Sequence, residues 1–298
     1  MAERKRIPRP DWLKIKLKTT GNYKEVSGLI TDHSLHTVCQ EARCPNIYEC
    51  WNERTATFMI LGDICTRHCG FCSVKKGKPG PADPAEPDNV ARAAAKMNVD
   101  YAVVTSVDRD DMPDEGAAHF AKTIQAIRSR LPECKVEVLI PDFNGNRELL
   151  DIVLDAGPEV LAHNVETVEA LYRRVRPVAN YVQSLKVIEE TIKYREERGA
   201  NIQTKSGIML GIGETREQLL STIKDIADTG CDILTIGQYL SPKLKSLPVE
   251  RFYTPEEFDE IRDRGYEFGL KHVESSPLVR SSYKAKEQWE KVCGLSVR

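Results

Sequence analysis

Between residues 57 and 267 the chain alternates, six times, a short apolar run with a longer amphipathic one. TFMILG (57–62), DYAVVTSV (100–107), KVEVLIP (135–141), PEVLAHNVE (158–166), QTKSGIMLG (203–211) and DILTIGQYL (232–240) read as strands. NVARAAAKM, GAAHFAKTIQAIRSRL, NRELLDIVLDAG, YVQSLKVIEETIKYREERG, TREQLLSTIKDIADTG and TPEEFDEIRDRG read as helices. In the second of these the apolar positions 120, 124, 127 and 131 share one helical face. Thr215-x-x-Gln218 and Thr254-x-x-Glu257 are capping boxes, with Pro255 at a first helical position and Gly230 as a stop. Strands separated by helices pair through crossovers, so they form a parallel sheet with the helices outside. Polar clusters (CTRHC, SVDRDD, HNVE, GIGE, QYLSP) follow most of the strands. That pattern suits a barrel, whose site is built by the loops at the strands' C-terminal ends. A doubly wound sheet would have one dominant crevice instead. The expected fold class is α/β, an incomplete (β/α)6 barrel.

Composition narrows the setting. The 298 residues suffice for one barrel-sized domain, and a net charge of −2 makes no general case for nucleic acid. Apolar runs such as FMIL and YAVV are too short to span a bilayer. The start, MAERKRIPRPDW, has no apolar segment of a secretory signal. The expected location is the cytoplasm, with no membrane partner. Nine cysteines in a reducing compartment point to metal or redox chemistry, not disulfides. Residues 1–24 carry eight Lys/Arg against Glu3 and Asp11, a solvated arm or a contact for an acidic protein partner. A short helix is expected near Thr31–Ala42, and GKPGPADPAEPD (77–88) is a proline-rich loop.

The loop after the first strand holds Cys65, Cys69 and Cys72. Zinc needs a fourth ligand, and His68 is available, but as the neighbour of Cys69 it is sterically awkward. A four-iron cluster fits better, because three thiolates leave one iron open. That iron can take the amino and carboxylate groups of S-adenosylmethionine and pass one electron to its sulfonium, giving a 5′-deoxyadenosyl radical. Cys-x3-Cys-x2-Cys, with Phe71 before the third cysteine, is identified as the signature of the radical S-adenosylmethionine superfamily.

A second trio, Cys39, Cys44 and Cys50, reads as a small zinc site, buried thiols or a second cluster. Cys134, Cys231 and Cys293 are isolated and read as structural. With both trios in view the chain resembles lipoyl synthases, through Cys-x4-Cys-x5-Cys, TSVDRDDMPDEGA (105–117), AHNVET (162–167), SGIMLGIGE (206–214), TIGQYLSP (235–242) and RSSY (280–283). The resemblance covers most of the chain. It implies two 4Fe-4S clusters, the auxiliary one on the N-terminal trio with a serine of RSSY as its fourth ligand. Ser281 is favoured, although Ser282 is not separated from it by sequence. Alkoxide matches iron less well than thiolate, so that corner is the labile one.

The activity implied is insertion of two sulfur atoms, at C6 and C8 of an octanoyl chain amide-linked to a carrier-protein lysine. The partners implied are octanoylated lipoyl-carrier domains (2-oxoacid dehydrogenase E2 subunits and glycine cleavage H protein) and a low-potential donor such as ferredoxin or flavodoxin. By similarity to radical enzymes of the biotin synthase type, Asn164 and Glu166 meet the cofactor's ribose hydroxyls. Arg176 pairs with the methionyl carboxylate or belongs to a surface basic cluster, Ser106 lies near the amino group, and GIGE is a strand-end turn approaching adenine. The division expected is residues 1–52 as an N-terminal extension, 53–270 as the partial barrel and 271–298 as a C-terminal extension, the two extensions covering the barrel mouth. A biotin synthase relative should lack the N-terminal trio and RSSY. An iron–sulfur electron carrier needs no barrel, and a zinc-dependent nucleic-acid module would need an aromatic-basic stripe.

Overall fold

The computed structural model describes residues 7–15, 19–33 and 35–295, so part of the basic arm, 1–6 and 16–18, lies outside the described residues. Helix α1 (Gly21–Asp32) buries Val26 and Ile30. It is followed by β1 (His36–Thr37), α2 (Val38–Glu41), α3 (Ile47–Asn52) and β2 (Thr57–Ile60). Here the structure corrects the helix expected near Thr31–Ala42. Thr37 is extended (φ −130°, ψ 140°) and its hydroxyl accepts from the Gln40 amide, so it caps a new helix rather than continuing the old one. β1 pairs antiparallel with β2, His36 opposite Met59. Tyr23 of α1 stacks on Tyr48 at 5.4 Å and leans on Trp51 at 5.1 Å, fixing α1 to α3.

The cysteine loop is bracketed by a two-strand ribbon, β3 (Ile64–Cys65) with β4 (Lys75–Lys76). Then come α4 (Glu86–Met97), β5 (Tyr101–Ser106), α5 (Ala117–Arg130), β6 (Lys135–Leu139), α6 (Arg147–Asp155), β7 (Val160–Ala162), α7 (Tyr172–Val175), α8 (Tyr181–Arg198), β8 (Gln203–Leu210), α9 (Arg216–Asp228), β9 (Ile233–Gln238) and α10 (Pro255–Glu267). The six expected strands pair in parallel in chain order, β2-β5-β6-β7-β8-β9. Both capping boxes form. Five strands are buried on nearly every residue, as a parallel sheet covered on both faces requires. Phe120, Ile124 and Ile127 of α5 are fully buried against that sheet, each contributing roughly 1.5–3 kcal/mol by leaving water.

Two further elements complete the chain. β10 (His272–Ser275), unread in the sequence, adds a seventh parallel strand beside β9. The sheet begins at β1 and ends at β10, so among the described residues the barrel stays open. From β10 the chain turns back down the barrel interior. Gln238 N donates to Pro277 O, Ser282 meets Thr57, and α11 (Ala285–Val292) packs Ala285 and Trp289 against Tyr101 and Val103. Tyr101 opens β5, so α11 plugs the end opposite the loops. The C-terminal segment therefore runs inside the barrel instead of only covering its mouth. Apolar α11 surface is buried that way, together with the Lys205–Glu137 ion pair (2.9 Å) and the Tyr101 hydroxyl that Glu137 accepts (2.8 Å).

Candidate active site

A cavity of about 540 Å³ opens at the C-terminal ends of the strands. Ten of the expected site residues line it: Cys39, Cys44, Cys65, Cys69, Cys72, Ser106, Asn164, Glu166, Arg176 and Ser281. Cys50 stands outside its wall, close enough to feel the charges of Cys39 and Cys44. Ser282 also lines the cavity.

Local contacts fix the loop of Cys65, Cys69 and Cys72 in place. Thr66 N donates to Asp108 O (3.1 Å) and Gly70 N to Val175 O (2.8 Å). Arg67, between the first two cysteines, is buried and grips three carboxylates: Asp110 at 2.6 Å, Asp142 at 2.7 Å and Asp108 at 3.4 Å. This clamp ties the cysteine loop to the loops after β5 and β6. Sequence reasoning saw Asp108, Asp110 and Arg67 only as members of polar clusters, and did not single out Asp142.

Burial pushes Cys39 and Cys69 up to about 11 and Cys65 up to about 12, and raises Cys44, Cys50 and Cys72. Without a metal these thiols stay protonated, and ligation would displace their protons. Among the described residues no three His, Cys, Asp or Glu side chains converge on a single ion position. Five of the six thiols line one cavity, and in a four-iron cluster each thiolate binds a separate iron.

The far wall suits a polar cofactor. Among the described residues Ser106 Oγ and Asn164 Oδ1 are buried with no hydrogen-bond partner. Each such orphan costs about 1–3 kcal/mol unless a ligand satisfies it. A Cβ on Gly207 would fall 2.7 Å from Asn164 Oδ1, so only glycine keeps that wall clear. Glu166 adopts φ +72°, unusual for a non-glycine residue, and is held there by Glu166 N to Gly207 O (2.8 Å) and Met209 N to Glu166 O (2.9 Å). Its carboxylate accepts from Asn164 Nδ2 at 3.1 Å, which places the pair on one face as expected.

Arg176 is buried, which removes the surface-cluster alternative. A relay the sequence did not disclose orients it. His163 Nδ1 lies 2.9 Å from Ile140 O, an acceptor only, so Nδ1 carries the proton. Burial holds the ring neutral, its pKa lowered to about 4, so Nε2 accepts from Ser184 Oγ (3.0 Å). Ser184 Oγ in turn accepts from Arg176 Nη1 (3.0 Å), which also reaches Asn164 O and Tyr172 Oη at 3.0 Å. Nε and Nη2 of Arg176 have no protein hydrogen bond among the described residues, leaving an edge suited to a carboxylate.

The two cysteine regions meet through the C-terminal segment. Asn46 Nδ2 donates to Leu278 O (2.8 Å) and Tyr283 Oη to Glu49 Oε1 (2.9 Å). Ser281 Oγ accepts from Asn164 Nδ2 (2.7 Å), and Ser282 Oγ pairs with Thr57 Oγ1 (2.7 Å). GIGE is the strand-end turn expected, following β8, and its Gly211, Ile212 and Gly213 amides donate to the carboxylate of Glu214 at 2.5, 2.9 and 3.1 Å. The turn is filled by its own side chain and stands outside the cavity wall.

An open parallel barrel with this cysteine loop at its mouth defines a radical S-adenosylmethionine enzyme, and a profile of the radical SAM superfamily matches residues 59–226. Solved structures agree on the fold. Methylornithine synthase superposes with a TM-score of 0.54 at 15% identity, over 76% of this chain and 73% of that one. The FeFe-hydrogenase maturase HydG from Carboxydothermus hydrogenoformans gives 0.54 at 16%, over 80% and 66%. Residues 1–44 match the N-terminal domain of lipoyl synthase of the radical SAM family. The lipoyl synthase of Rubrobacter xylanophilus is 53% identical over 97% of this chain and 88% of its own. That of Symbiobacterium thermophilum is 53% identical over 94% and 86%. The chain belongs to the lipoyl synthase family, radical enzymes that work with a 4Fe-4S cluster and S-adenosylmethionine. Among the described residues no helix is long and apolar enough to cross a membrane.

Proposed function

We propose that the two cysteine trios divide lipoyl synthesis between them inside one cavity. Cys65, Cys69 and Cys72 hold the cluster that meets S-adenosylmethionine; Cys39, Cys44, Cys50 and Ser281 hold a second four-iron cluster. When bound, the first supplies the electron that cleaves S-adenosylmethionine, and the second supplies sulfur. The remaining work falls to the chain's own side chains. Arg176 pairs with the methionyl carboxylate through its free edge, Ser106 Oγ meets the amino group, and Asn164 with Glu166 takes the ribose hydroxyls. Met59, Val107, Leu139 and Ile208 give the cavity apolar wall for an octanoyl chain and exclude water around it.

The substrate in this reading is octanoyl-lysine on a lipoyl-carrier domain, of 2-oxoacid dehydrogenase E2 subunits or glycine cleavage H protein. A donor such as ferredoxin or flavodoxin supplies electrons, in a cytoplasm that keeps the thiols reduced. Residues 1–52 contribute the second trio, 53–270 the radical site, and 271–298 the serine.

The observation that carries the reading is that a single cavity is lined from both trios and by Ser281, which accepts from Asn164. The test separates the halves. With an octanoyl-lysyl peptide, S-adenosylmethionine and a strong reductant, Cys65, Cys69 and Cys72→Ala abolishes 5′-deoxyadenosine and leaves about four irons. Cys39, Cys44 and Cys50→Ala still makes 5′-deoxyadenosine but inserts no sulfur. Sulfur insertion at the wild-type rate in the second variant would sink the division of labour.

A further inference from the structure

The loop after β9 is fastened to both cysteine regions. Lys243 Nζ donates to Ser73 O (2.6 Å) and Leu247 N to Gly70 O (3.1 Å), on the radical side. Arg43 Nη1, between Cys39 and Cys44, reaches Pro242 O (3.3 Å) on the other. The loop is thus a strap across the rim of the cavity, whose wall includes Ser241 and Pro242. At its crest Leu244 is 82% exposed, flanked by exposed Lys243 and Lys245. A lone exposed leucine is ordinary on a protein surface. The position of this one, at the mouth of the cavity and held from two sides, is not.

Charge makes the same point. Arg43, Lys76, Lys243 and Lys245 are all exposed around this mouth, and among the described residues none forms an ion pair. Lys75, next door, is by contrast paired with Asp63. Uncompensated cations concentrated on one rim of a chain whose net charge is −2 form a local field, not a general surplus. A fixed apolar tip surrounded by unpaired cations fits a folded partner with carboxylates around a small apolar patch.

Resting on the lipoyl synthase reading above, we infer that the strap at residues 241–247 and the cationic rim beside it dock the acidic face of the carrier domain, with Leu244 as the apolar anchor, so that the acyl-lysine enters the cavity between the two cysteine regions. Recognition of the protein is thereby separate from recognition of the acyl chain. The rim steers and the leucine seats, while the cavity handles the octanoyl group whatever carries it.

The test uses the fully loaded enzyme with two substrates, octanoylated glycine cleavage H protein and an octanoyl-lysyl peptide. Leu244→Ser with Lys245→Glu lowers kcat/KM for the protein substrate about tenfold and leaves the peptide within about twofold. Raising salt from about 50 to about 300 mM costs wild type most of its advantage on the protein substrate and costs the variant little, because such rim attraction is screened over roughly 8–10 Å. Anisotropy of a labelled octanoylated H protein reads docking directly, without turnover. If the variant binds and converts the protein substrate as wild type does while both convert the peptide, the docking surface is wrong. If the variant loses both substrates equally, the strap serves the cavity and the inference also fails. If wild type inserts sulfur into neither substrate, the function proposed above is what fails.

Discussion

At the scale of single residues the site depends on side chains that never meet the reacting atoms. Arg176 is aimed by Ser184, and Ser184 by a neutral His163. Ser184→Ala leaves His163 Nε2 short of a buried partner and removes one of the three oxygens that Arg176 Nη1 reaches, a loss of about 1–3 kcal/mol. The expected outcome is roughly tenfold weaker S-adenosylmethionine binding by calorimetry, with iron content unchanged. Ser184→Thr keeps the hydroxyl and restores most of the affinity; equal weakening in both variants would mean the hydroxyl is not the cause. The serine ligand is tested beside it. Ser281→Cys keeps the second cluster and stalls product after one sulfur or none, since thiolate holds iron better than alkoxide. Ser281→Ala gives a more fragile cluster, and the same changes at Ser282 are milder. Iron analysis and the ratio of singly to doubly sulfurated peptide decide it. Stalling at Ser282 alone moves the ligand one residue along.

Among the elements, the one that matters most for the site is the descending segment between β10 and α11, and it depends on Gly237. A Cβ there would lie 2.1 Å from the Val279 carbonyl oxygen, a contact no backbone tolerates. Gly237→Ala should therefore push residues 278–283 away from β9 while leaving the radical loop in place. The expected result is loss of the second cluster, about four irons retained, and 5′-deoxyadenosine still formed. Retention of eight irons would show that the segment adapts. This segment also marks where sequence reading ran out. The six strands and their helices were legible because each carries its own signal: buried β-branched runs, helical spacing, and the boxes at Thr215 and Thr254. The two cysteine trios and RSSY were legible as motifs. β10 was not, because HVES is four residues long with a charge inside it. Nor was the place of α11, which depends on a non-local cluster with Tyr101 and Val103 that no local pattern encodes. Arg67, His163 and Ser184 escaped for the same reason, their roles being set by partners up to 75 residues away.

For the whole molecule, the N-terminal and C-terminal regions of the chain meet each other beside the cavity. Residues 46 and 49 of the N-terminal region hold residues 278 and 283 of the C-terminal one by two side-chain hydrogen bonds, each a modest contribution of about 0.5–1.5 kcal/mol. Four ligands drawn from Cys39, Cys44, Cys50 and Ser281 would bind the same two regions far more firmly, because metal binding adds directly to folding free energy. Removing iron with a chelator should then loosen both regions together. In hydrogen exchange, amides at 38–53 and 277–284 lose protection in step, while the helices from α4 to α10, buried on the sheet independently of any metal, keep theirs. Cys39, Cys44 and Cys50→Ala reproduces that pattern without a chelator, whereas Cys65, Cys69 and Cys72→Ala loosens chiefly residues 63–76. Since burial keeps the thiols protonated, reloading releases protons and becomes more favourable as pH rises. If exchange at 277–284 ignores the state of the N-terminal trio, the C-terminal segment is anchored by α11 alone and the serine is not its tie to iron.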